Sequence, residues 1–255
     1  MAEDSQAYKD KKARFDQMIT VYGRNVVLEM LYDKTVLFHK VHLSSSNRQE
    51  GVILEILDMA KQRDIEVKVQ SKEQLSRISK NSKQDQGVAA DIMAPNYFNA
   101  KEIMKRFSDG FRLLALDGIQ NPQNLGMIIR SAAAGNIDGI ILPKDRSAKL
   151  SPLVIKASAG TLFKIDIFYT PSLAPALKQL SDEGSKVYAL SSHAKEDIYS
   201  VKTAEKSIFV LGNESEGVSD EVQSVCNASL SIPMQREVES LNVAVTAALI
   251  AFMRS

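Results

Sequence analysis

Helical and strand-like patterns of apolar residues alternate along most of the chain. Within residues 47–64, apolar side chains recur every three or four positions, which predicts an amphipathic helix. Segment 65–70, IEVKVQ, instead alternates apolar and polar residues, as expected for a half-buried strand. Ser71 follows directly and is a typical helix N-cap. The pattern predicts an α/β domain over residues 17–93, preceded by a charged, flexible arm at 1–16.

A second alternation begins after residues 94–108, whose composition is typical of a linker. Its predicted strands cover 112–118, 138–142, 165–169, 186–191, 207–212 and 228–232. Its predicted helices cover 125–134, 151–158, 172–182, 218–226 and 241–254. Strands that alternate with helices favour a mostly parallel sheet with helices on both faces. We therefore predict an α/β fold whose second domain spans residues 109–255.

Composition and charge narrow the possible functions. The net charge of +1 provides no overall attraction for nucleic acid, so any RNA site must be a local patch. A single cysteine, Cys226, excludes an internal disulfide framework. The three histidines form no pattern of metal ligands, and we expect no metal. His39 and His42 lie at odd spacing in a predicted strand, so they should face opposite sides and have structural or surface roles.

The sequence predicts neither a secretion signal nor a membrane span. The first residues, MAEDSQAYKDKKARFDQ, are charged and polar, unlike a signal peptide. The most apolar run, LNVAVTAALIAFM, is shorter than the ~20 residues that cross a bilayer as a helix. We therefore expect a cytoplasmic protein without a membrane partner.

Three polar loops follow predicted strands. They are NPQNLGMIIR at 121–130, LGNESEGVSDE at 211–221 and IPMQREVESLN at 232–242. In parallel sheets, ligands bind at the carboxyl ends of the strands, where these loops should lie. The chain has no G-x-G-x-x-G or G-x-x-x-x-G-K-S/T motif and no G-x-S-x-G elbow. A phosphate-clamping nucleotide enzyme and a serine hydrolase are therefore disfavoured.

Most polar residues in these loops also have a structural explanation. Asn121–Pro122 can form a turn, and Asn124 can cap the helix that follows. Glu214 can be a solvated charge, and Ser240 can cap the last helix. Arg130 is harder to explain because its helix should be flanked by the sheet. A buried guanidinium at that position needs an ion pair or a substrate contact.

The order and separation of the three loops resemble the motifs of the SpoU/TrmH family of RNA ribose 2′-O-methyltransferases, within the SPOUT superfamily. The resemblance runs from Phe111 to the C-terminus and includes LPKDRSAKLSPLVIKASAG between the first two motifs. Residues 17–93 resemble the small RNA-binding domain of many members, which is akin to kink-turn-binding ribosomal proteins. YGRNVVLEML and DQGVAA match its start and end, with Asp85 where the family often has histidine.

The resemblance implies a parallel sheet whose C-terminal segment is threaded into a trefoil knot, which general folding rules would not predict. It also implies that S-adenosylmethionine binds in the knot in a bent shape, largely through backbone groups. The implied cofactor-binding residues are Leu190, Leu211, Gly212, Asn213, Ile232, Pro233, Met234, Ser240, Leu241 and Asn242. Gly212 suits close approach of a ligand, and the apolar members suit an adenine ring.

By the same resemblance, Arg130 is the central catalytic residue, assisted by Asn124, Glu214, Ser240 and Asn242. The implied reaction moves a methyl group from a sulfonium to a ribose 2′-hydroxyl, a poor nucleophile until its proton is lost or polarised. Because a guanidinium stays protonated, we expect Arg130 to hold an RNA phosphate and stabilise the developing alkoxide. A substrate phosphate, Glu214 and water are all candidates for the proton acceptor.

RNA contacts are expected from Arg24, Asn25, Arg130 and Arg146. The N-terminal domain and a chain that stops right after the third motif favour guanosine in ribosomal RNA, in the large-subunit 23S molecule, as the target. Transfer RNA is the alternative substrate. A non-catalytic RNA-binding or ribosome-assembly protein of the same fold is a competing function, and a Rossmann dehydrogenase is a second competitor.

The last predicted helix, 241–254, is apolar on nearly every side. Such a helix must be buried all round, and a subunit interface is a natural way to bury it. This agrees with the homodimer that the resemblance implies, in which both protomers complete each RNA site.

Overall fold

The protein's structure is a computed structural model that describes residues 18–34, 36–80, 82–93 and 96–253. The predicted arm at 1–16 lies outside the described residues. The chain divides into two units, residues 1–95 with 150–152 and residues 96–149 with 153–255. No helix within the described ranges is long and apolar enough to cross a membrane.

The first unit is a mixed sheet covered by helices. Its elements are β1 (Met18–Tyr22), α1 (Arg24–Tyr32), β2 (Leu37–Ser44), α2 (Val52–Gln62), β3 (Val67–Gln70), α3 (Lys72–Ser79) and β4 (Val88–Met93). The strand order is β1-β4-β2-β3. Strand β4 runs antiparallel to β1 and β2, whereas β2 and β3 are parallel. The sequence predicted α2, β3 and the start of α3 at Ser71, but not β1.

Local sequence accounts for the ends and faces of these helices. Ser71 caps α3, as predicted, and forms a capping box with Gln74. The apolar stripe of α2 is buried through Ile53, Ile56 and Ala60, whereas Leu54 on the outer side is 47% exposed. The predicted amphipathic helix is therefore confirmed, and it packs against α1.

Hydrogen bonds link a chain of buried and half-buried polar groups on the first sheet. His42 is buried and His39 is exposed, which fits the structural and surface roles expected for them. Gln70 Nε2 donates to His42 Nδ1 at 2.6 Å, which leaves Nε2 as the donor to Asp91 Oδ2 at 2.9 Å. The hydroxyl of Thr20 donates to Asp91 Oδ1 at 2.7 Å. Burial alone would raise the pKa of Asp91, but the hydrogen bonds from His42 and Thr20 outweigh it and lower the pKa.

The second unit is an α/β layer structure built on an entirely parallel sheet. Its strands are β5 (Tyr97–Asn99), β6 (Phe111–Leu116), β7 (Gly139–Pro143), β8 (Asp166–Thr170), β9 (Lys186–Leu190), β10 (Glu196–Asp197), β11 (Lys206–Leu211) and β12 (Ala228–Ser231). Its helices are α4 (Ile103–Arg106), α5 (Pro122–Ala134), α6 (Pro152–Ala157), α7 (Leu173–Asp182), α8 (Asp220–Gln223) and α9 (Val243–Ala251). The eight strands follow the order β10-β12-β9-β11-β6-β7-β8-β5, and every pair is parallel. The predicted α/β fold with a parallel sheet is confirmed.

Part of the predicted linker at 94–108 belongs to this second sheet. Strand β5 pairs with β8 at its edge, and a single 3₁₀ turn then leads into α4. Phe98 and Phe107 pack on the buried ring of Phe168, with centroids 5.9 Å apart in both pairs. This aromatic contact explains why the short segment is ordered against the sheet rather than extended away from it.

Helices α5 and α9 pack against each other on one face of the second sheet. A side chain at Gly135 would place its Cβ 2.4 Å from the carbonyl oxygen of Ala251, so only glycine permits this approach. The backbone N–H of Asn136 donates to the same oxygen at 2.6 Å. The buried guanidinium of Arg112 donates to the Met253 carbonyl at 2.9 Å, which compensates the negative end of α9.

Candidate active site at the carboxyl edge of the parallel sheet

The strand order brings the three polar loops to one place. Strands β12, β9, β11 and β6 are consecutive neighbours and all parallel, so their carboxyl ends lie at one edge. The loop after β6 leads into α5, the loop after β11 leads into α8, and the loop after β12 leads into α9. The site therefore lies where parallel sheets generally bind ligands.

The start of α5 directs Asn124 into the site. Asn121 is the N-cap, because its side chain accepts a hydrogen bond from the Gln123 N–H at 2.9 Å, and Pro122 occupies the first turn. The interpretation of Asn124 as the cap is therefore wrong. Asn124 lies inside the first turn and is only 6% exposed, so its amide is free for tertiary contacts.

Three predicted catalytic residues meet in an amide–carboxylate cluster of Asn124, Glu214 and Asn242. Asn124 Nδ2 donates to Glu214 Oε1 at 2.7 Å, and Asn242 Nδ2 donates to the same oxygen at 2.6 Å. Asn242 Nδ2 also lies 3.4 Å from Asn124 Oδ1. Asn242 is at the same time the N-cap of α9, accepting from the Ala244 N–H at 2.9 Å. Each of the three loops thus supplies one side chain.

The cluster holds a carboxylate in a defined direction. Both amide donors use Oε1 of Glu214, so Oε2 keeps its lone pairs for another donor. No cation forms an ion pair with Glu214 among the residues placed by the structure. Within the same residues, no group of acidic, histidine and cysteine side chains could hold a metal ion. The arrangement is therefore suited to accept a hydrogen bond from a bound hydroxyl.

The loop after β11 closes on its own backbone. Asn213 and Gly217 exchange two backbone hydrogen bonds of 3.0 and 2.8 Å. A Cβ on Gly212 would lie 2.0 Å from the carbonyl carbon of Gly217. The loop itself therefore requires glycine at 212, whether or not a ligand also approaches there. The role of Gly212 in cofactor binding stays a prediction.

Two polar contacts attach this loop to the segment after β6. Asn213 Nδ2 donates to the Gly118 carbonyl at 2.9 Å. The side chain of this predicted cofactor residue therefore attaches the loop to the segment after β6. The buried carboxylate of Asp117 accepts the Ser219 N–H at 2.7 Å. Burial, followed by the negative charge of Asp117, raises the pKa of the Cys226 thiol to about 11. Sequence reasoning missed Asp117, although an aspartate before glycine at the end of a buried strand was a visible signal.

Arg130 does not join the cluster. The prediction that its guanidinium is buried is wrong, because Arg130 is exposed on the outer face of α5, three residues after the exposed Met127. The inward face of that helix is occupied by Leu125, Ile128 and Ile129, which are fully buried. The guanidinium of Arg130 forms no hydrogen bond or ion pair with any residue that the structure describes. The cation is therefore available to a ligand or another subunit.

The remaining predicted cofactor residues lie near the same edge. Leu190 ends β9 and is half-buried, and Leu211 ends β11 and is buried. Ile232, Met234 and Leu241, in the loop after β12, are also half-buried. This apolar surface beside polar loops fits a ligand with a flat apolar ring and polar edges.

Backbone groups in the loop after β12 add to this fit. Met234, Ser240 and Leu241 form no backbone hydrogen bond with any described residue. Their donors and acceptors are thus free for a ligand, as the backbone recognition implied for S-adenosylmethionine requires. Ser240 is exposed, and its hydroxyl has no hydrogen bond within the described chain; Asn242, not Ser240, caps α9. The residues present therefore fit the implied cofactor.

The predicted RNA-binding residues fall in both units. In the first unit, Arg24 and Asn25 line a polar cavity of 630 Å³ together with Lys72 and Lys83. Arg24 also links three parts of the first unit, because its Nε donates to the Gln86 carbonyl at 3.0 Å and its Nη2 donates to Asn47 Oδ1 at 3.0 Å.

In the second unit, Arg146 is exposed in the loop after β7 and has a left-handed backbone with φ of 60°. This backbone conformation is uncommon for a residue other than glycine. The structure therefore leaves Arg146 accessible, and its predicted RNA contact stays a prediction.

Comparison with known proteins groups this chain with RNA methyltransferases. The SpoU rRNA Methylase family matches residues 112–252, and the substrate-binding domain of RNA 2′-O ribose methyltransferases matches residues 20–98. A 23S rRNA (guanosine-2′-O-)-methyltransferase, RlmB, of Xylella fastidiosa is 32% identical over 91% of this chain and 94% of its own length.

Solved structures show the same architecture. A protein from Porphyromonas gingivalis assigned to the TrmH family of RNA methyltransferases is 26% identical, with a TM-score of 0.65 over 97% of this chain and 91% of its own. The SpoU methyltransferase AviRb of Streptomyces viridochromogenes, solved with its cofactor AdoMet, has a TM-score of 0.66 over 97% of this chain and 91% of its own at 19% identity, which shows the shared fold. From its matching family domains, its relatives and its fold, the chain belongs to the SpoU rRNA methylase family.

Proposed function

We propose that this protein methylates the 2′-hydroxyl of a guanosine ribose in 23S ribosomal RNA, with S-adenosylmethionine as methyl donor. The observation that carries the proposal is the convergence of Asn124, Glu214 and Asn242, one from each motif, on a single hydrogen-bonded cluster. The RNA is inferred from the RlmB relative of Xylella fastidiosa, because its similarity spans both units of this chain.

The cluster can polarise the ribose hydroxyl, and the apolar residues beside it can bind the cofactor. S-adenosylmethionine, when bound, supplies a methyl group on a positively charged sulfur. The free oxygen of Glu214 is placed to accept the hydrogen bond of the ribose hydroxyl, and Asn124 and Asn242 keep that carboxylate oriented. We propose that Leu190, Leu211, Ile232, Met234 and Leu241 contact the adenosine part, with backbone groups from Gly212 and Ser240.

Arg130 provides a permanent positive charge in this proposal. Because it stays protonated, it holds an RNA phosphate and stabilises negative charge on the ribose oxygen as the proton leaves. Its exposure and lack of a carboxylate partner within the described chain support this use. No metal is needed, because the departing thioether is neutral.

We propose that two copies form a homodimer through α5 and α9. Val245, Leu249 and Phe252 on α9 are 48%, 36% and 60% exposed, and with Tyr199 they line an apolar groove of 670 Å³. The single chain thus leaves one side of α9 uncovered, and a second copy would bury it. Arg130 lies on the exposed face of the neighbouring helix, where both protomers can complete an RNA site.

The finer details of the fold are part of the same proposal. We propose that residues 17–93 form the RNA-binding domain, akin to kink-turn-binding proteins. We propose that 109–255 form the methyltransferase domain, together with β5 and α4 from the connecting segment 94–108. The segment from β12 to α9 is proposed to thread a trefoil knot, in which the cofactor binds bent. The return of α9 from the carboxyl edge to pack on α5 supports such a path. We place the activity in the cytoplasm.

Methyl transfer from labelled S-adenosylmethionine tests the function directly. The purified chain is incubated with a 23S rRNA transcript, a 16S transcript and bulk transfer RNA, and 2′-O-methylated positions are mapped. We expect label in one guanosine of the 23S transcript. Label in transfer RNA alone would show that transfer RNA is the substrate. Cofactor binding without methyl transfer to any RNA would favour the non-catalytic alternative.

A further inference from the structure

We propose that Asp117 is a positioning residue for methyl transfer. It holds the loop at 212–219 so that Glu214 stays within hydrogen-bond distance of Asn124. The inference rests on the proposed function, because it concerns the same cluster. Asp117 has no contact with the proposed cofactor residues at 232–241, and it meets Leu211 only through a backbone hydrogen bond that a side-chain substitution leaves in place. The effect of its carboxylate should therefore pass through the loop that carries Glu214.

Asp117 contacts both ends of the loop that carries Glu214. Its backbone N–H donates to the Leu211 carbonyl at 2.8 Å, just before the loop begins. Its Oδ2 accepts the Ser219 N–H at 2.7 Å, where the loop ends. Because Asp117 is only 8% exposed, water competes little with this charge-assisted hydrogen bond. One residue thus fixes the entry and the exit of the loop.

A second anchor lies on the next residue. The Gly118 carbonyl accepts from Asn213 Nδ2 at 2.9 Å, and Asn213 pairs through its backbone with Gly217. Glu214 follows this anchored asparagine directly. The loop is therefore closed internally and attached to segment 117–118 at two points, which leaves it little freedom to shift.

The same segment leads into the helix that holds Asn124. Asp117 follows β6, and the chain continues from Gly118 into α5 without another element between them. The positions of Asn124 and Glu214 are thus set from one short stretch of backbone. Their 2.7 Å hydrogen bond tolerates little displacement, since such bonds weaken steeply beyond about 3.2 Å.

Three variants of the full chain test this inference. Asp117→Ala removes the acceptor of the Ser219 N–H, whereas Asp117→Asn keeps a carbonyl oxygen there. Asp138→Ala is the matched control, because Asp138 Oδ2 accepts the Arg112 N–H at 2.8 Å at the opposite end of β6. With a 23S transcript and saturating S-adenosylmethionine, we expect kcat to fall about tenfold in Asp117→Ala and to recover to within about threefold in Asp117→Asn. The control should keep its kcat.

A double-mutant cycle separates positioning from general destabilisation. If Asp117 acts through Glu214, Asp117→Ala should cause no further loss of kcat in a Glu214→Ala background. The same fold loss in both backgrounds would overturn the inference, because it would show that the two residues act independently.

Hydrogen exchange gives a readout that does not depend on activity. In the cofactor-free chain, we expect backbone amides of residues 212–219 to exchange about tenfold faster in Asp117→Ala than in the parent or in Asp138→Ala. Unchanged exchange in that peptide would overturn the anchoring role. A parent protein that transfers no methyl group to any RNA would overturn the proposed function instead, and the exchange result would still decide whether Asp117 anchors the loop.

Discussion

Asn124 and Asn242, 118 residues apart in the chain, donate to the same carboxylate oxygen of Glu214. Neither asparagine finds this acceptor within its own loop. The carboxylate comes from a third loop, and the neighbouring order of β6, β11, β9 and β12 brings all three together.

Replacing the carboxylate should slow the chemical step. Glu214→Gln keeps a carbonyl oxygen for Asn124 and Asn242 but removes the negative charge, so we expect kcat to fall about 100-fold with little change in cofactor affinity. Single-turnover methyl transfer measures the loss. Glu216→Gln, at an exposed glutamate two residues away, is the control and should keep the parent rate. Equal rates for both variants and the parent would remove Glu214 from the mechanism.

Arg130→Ala should abolish turnover without unfolding the protein. Because the side chain is exposed, we expect the melting temperature to stay near that of the parent. Loss of the cation should reduce kcat at least about 100-fold, while calorimetry shows nearly unchanged S-adenosylmethionine affinity. Lys178→Ala, at an exposed cation on α7, serves as the control. Full turnover in Arg130→Ala would contradict the assigned role.

A charge in the apolar groove should separate the proposed dimer. Leu249→Asp places a carboxylate among exposed apolar side chains of α9, so we expect sedimentation to show monomers where the parent sediments as a dimer. Leu54→Asp, at a leucine on α2 with 47% exposure, should leave the dimer intact. A parent chain that sediments as a monomer at micromolar concentration would refute this assembly.

Arg24 and Asn25 should differ in their effects on the first unit. Arg24 bonds to Gln86 and Asn47, so Arg24→Ala should lower the free energy of unfolding by about 1–2 kcal/mol as well as weaken RNA binding. Asn25 is exposed, and Asn25→Ala should weaken RNA binding with little effect on unfolding. Denaturant titrations and filter binding of the same RNA distinguish the two. Unchanged RNA affinity in both variants would show that the RNA does not bind at Arg24 and Asn25.

The half-buried Asp91 should make stability depend on acid pH. Its pKa in the folded state is lowered from 3.8, so folding favours the ionised form. The stabilisation is fully present above pH 3.8, the unfolded value, and is lost as the pH falls through the lower folded pKa. We expect Asp91→Asn to destabilise the protein by about 2 kcal/mol at about pH 7 and by less at about pH 3. A difference that does not change with pH would show that the carboxylate charge is unimportant.

Much of the fold could be predicted because hydrophobic periodicity is a local property. The strands and helices from β6 to α9 were predicted within a few residues, and the parallel sheet followed from their alternation. The missed elements include the edge strands β1, β5 and β10 and the one-turn helix α4. Strands β5 and β10 have three and two residues, too few for a periodic pattern, and are held by their neighbours β8 and β12.

The chemistry of the site divides in the same way. Asn124, Glu214 and Asn242 were selected through the resemblance of their three motifs to the SpoU/TrmH family, because motif residues and their order are visible in a linear sequence. The exposure of Arg130 could not be read there, since it depends on which face of α5 meets the sheet. The anchoring contacts of Asp117 and Asn213 were equally hidden. A hydrogen bond needs two groups within about 3 Å, and only the packing of parallel strands side by side brings such distant residues that close.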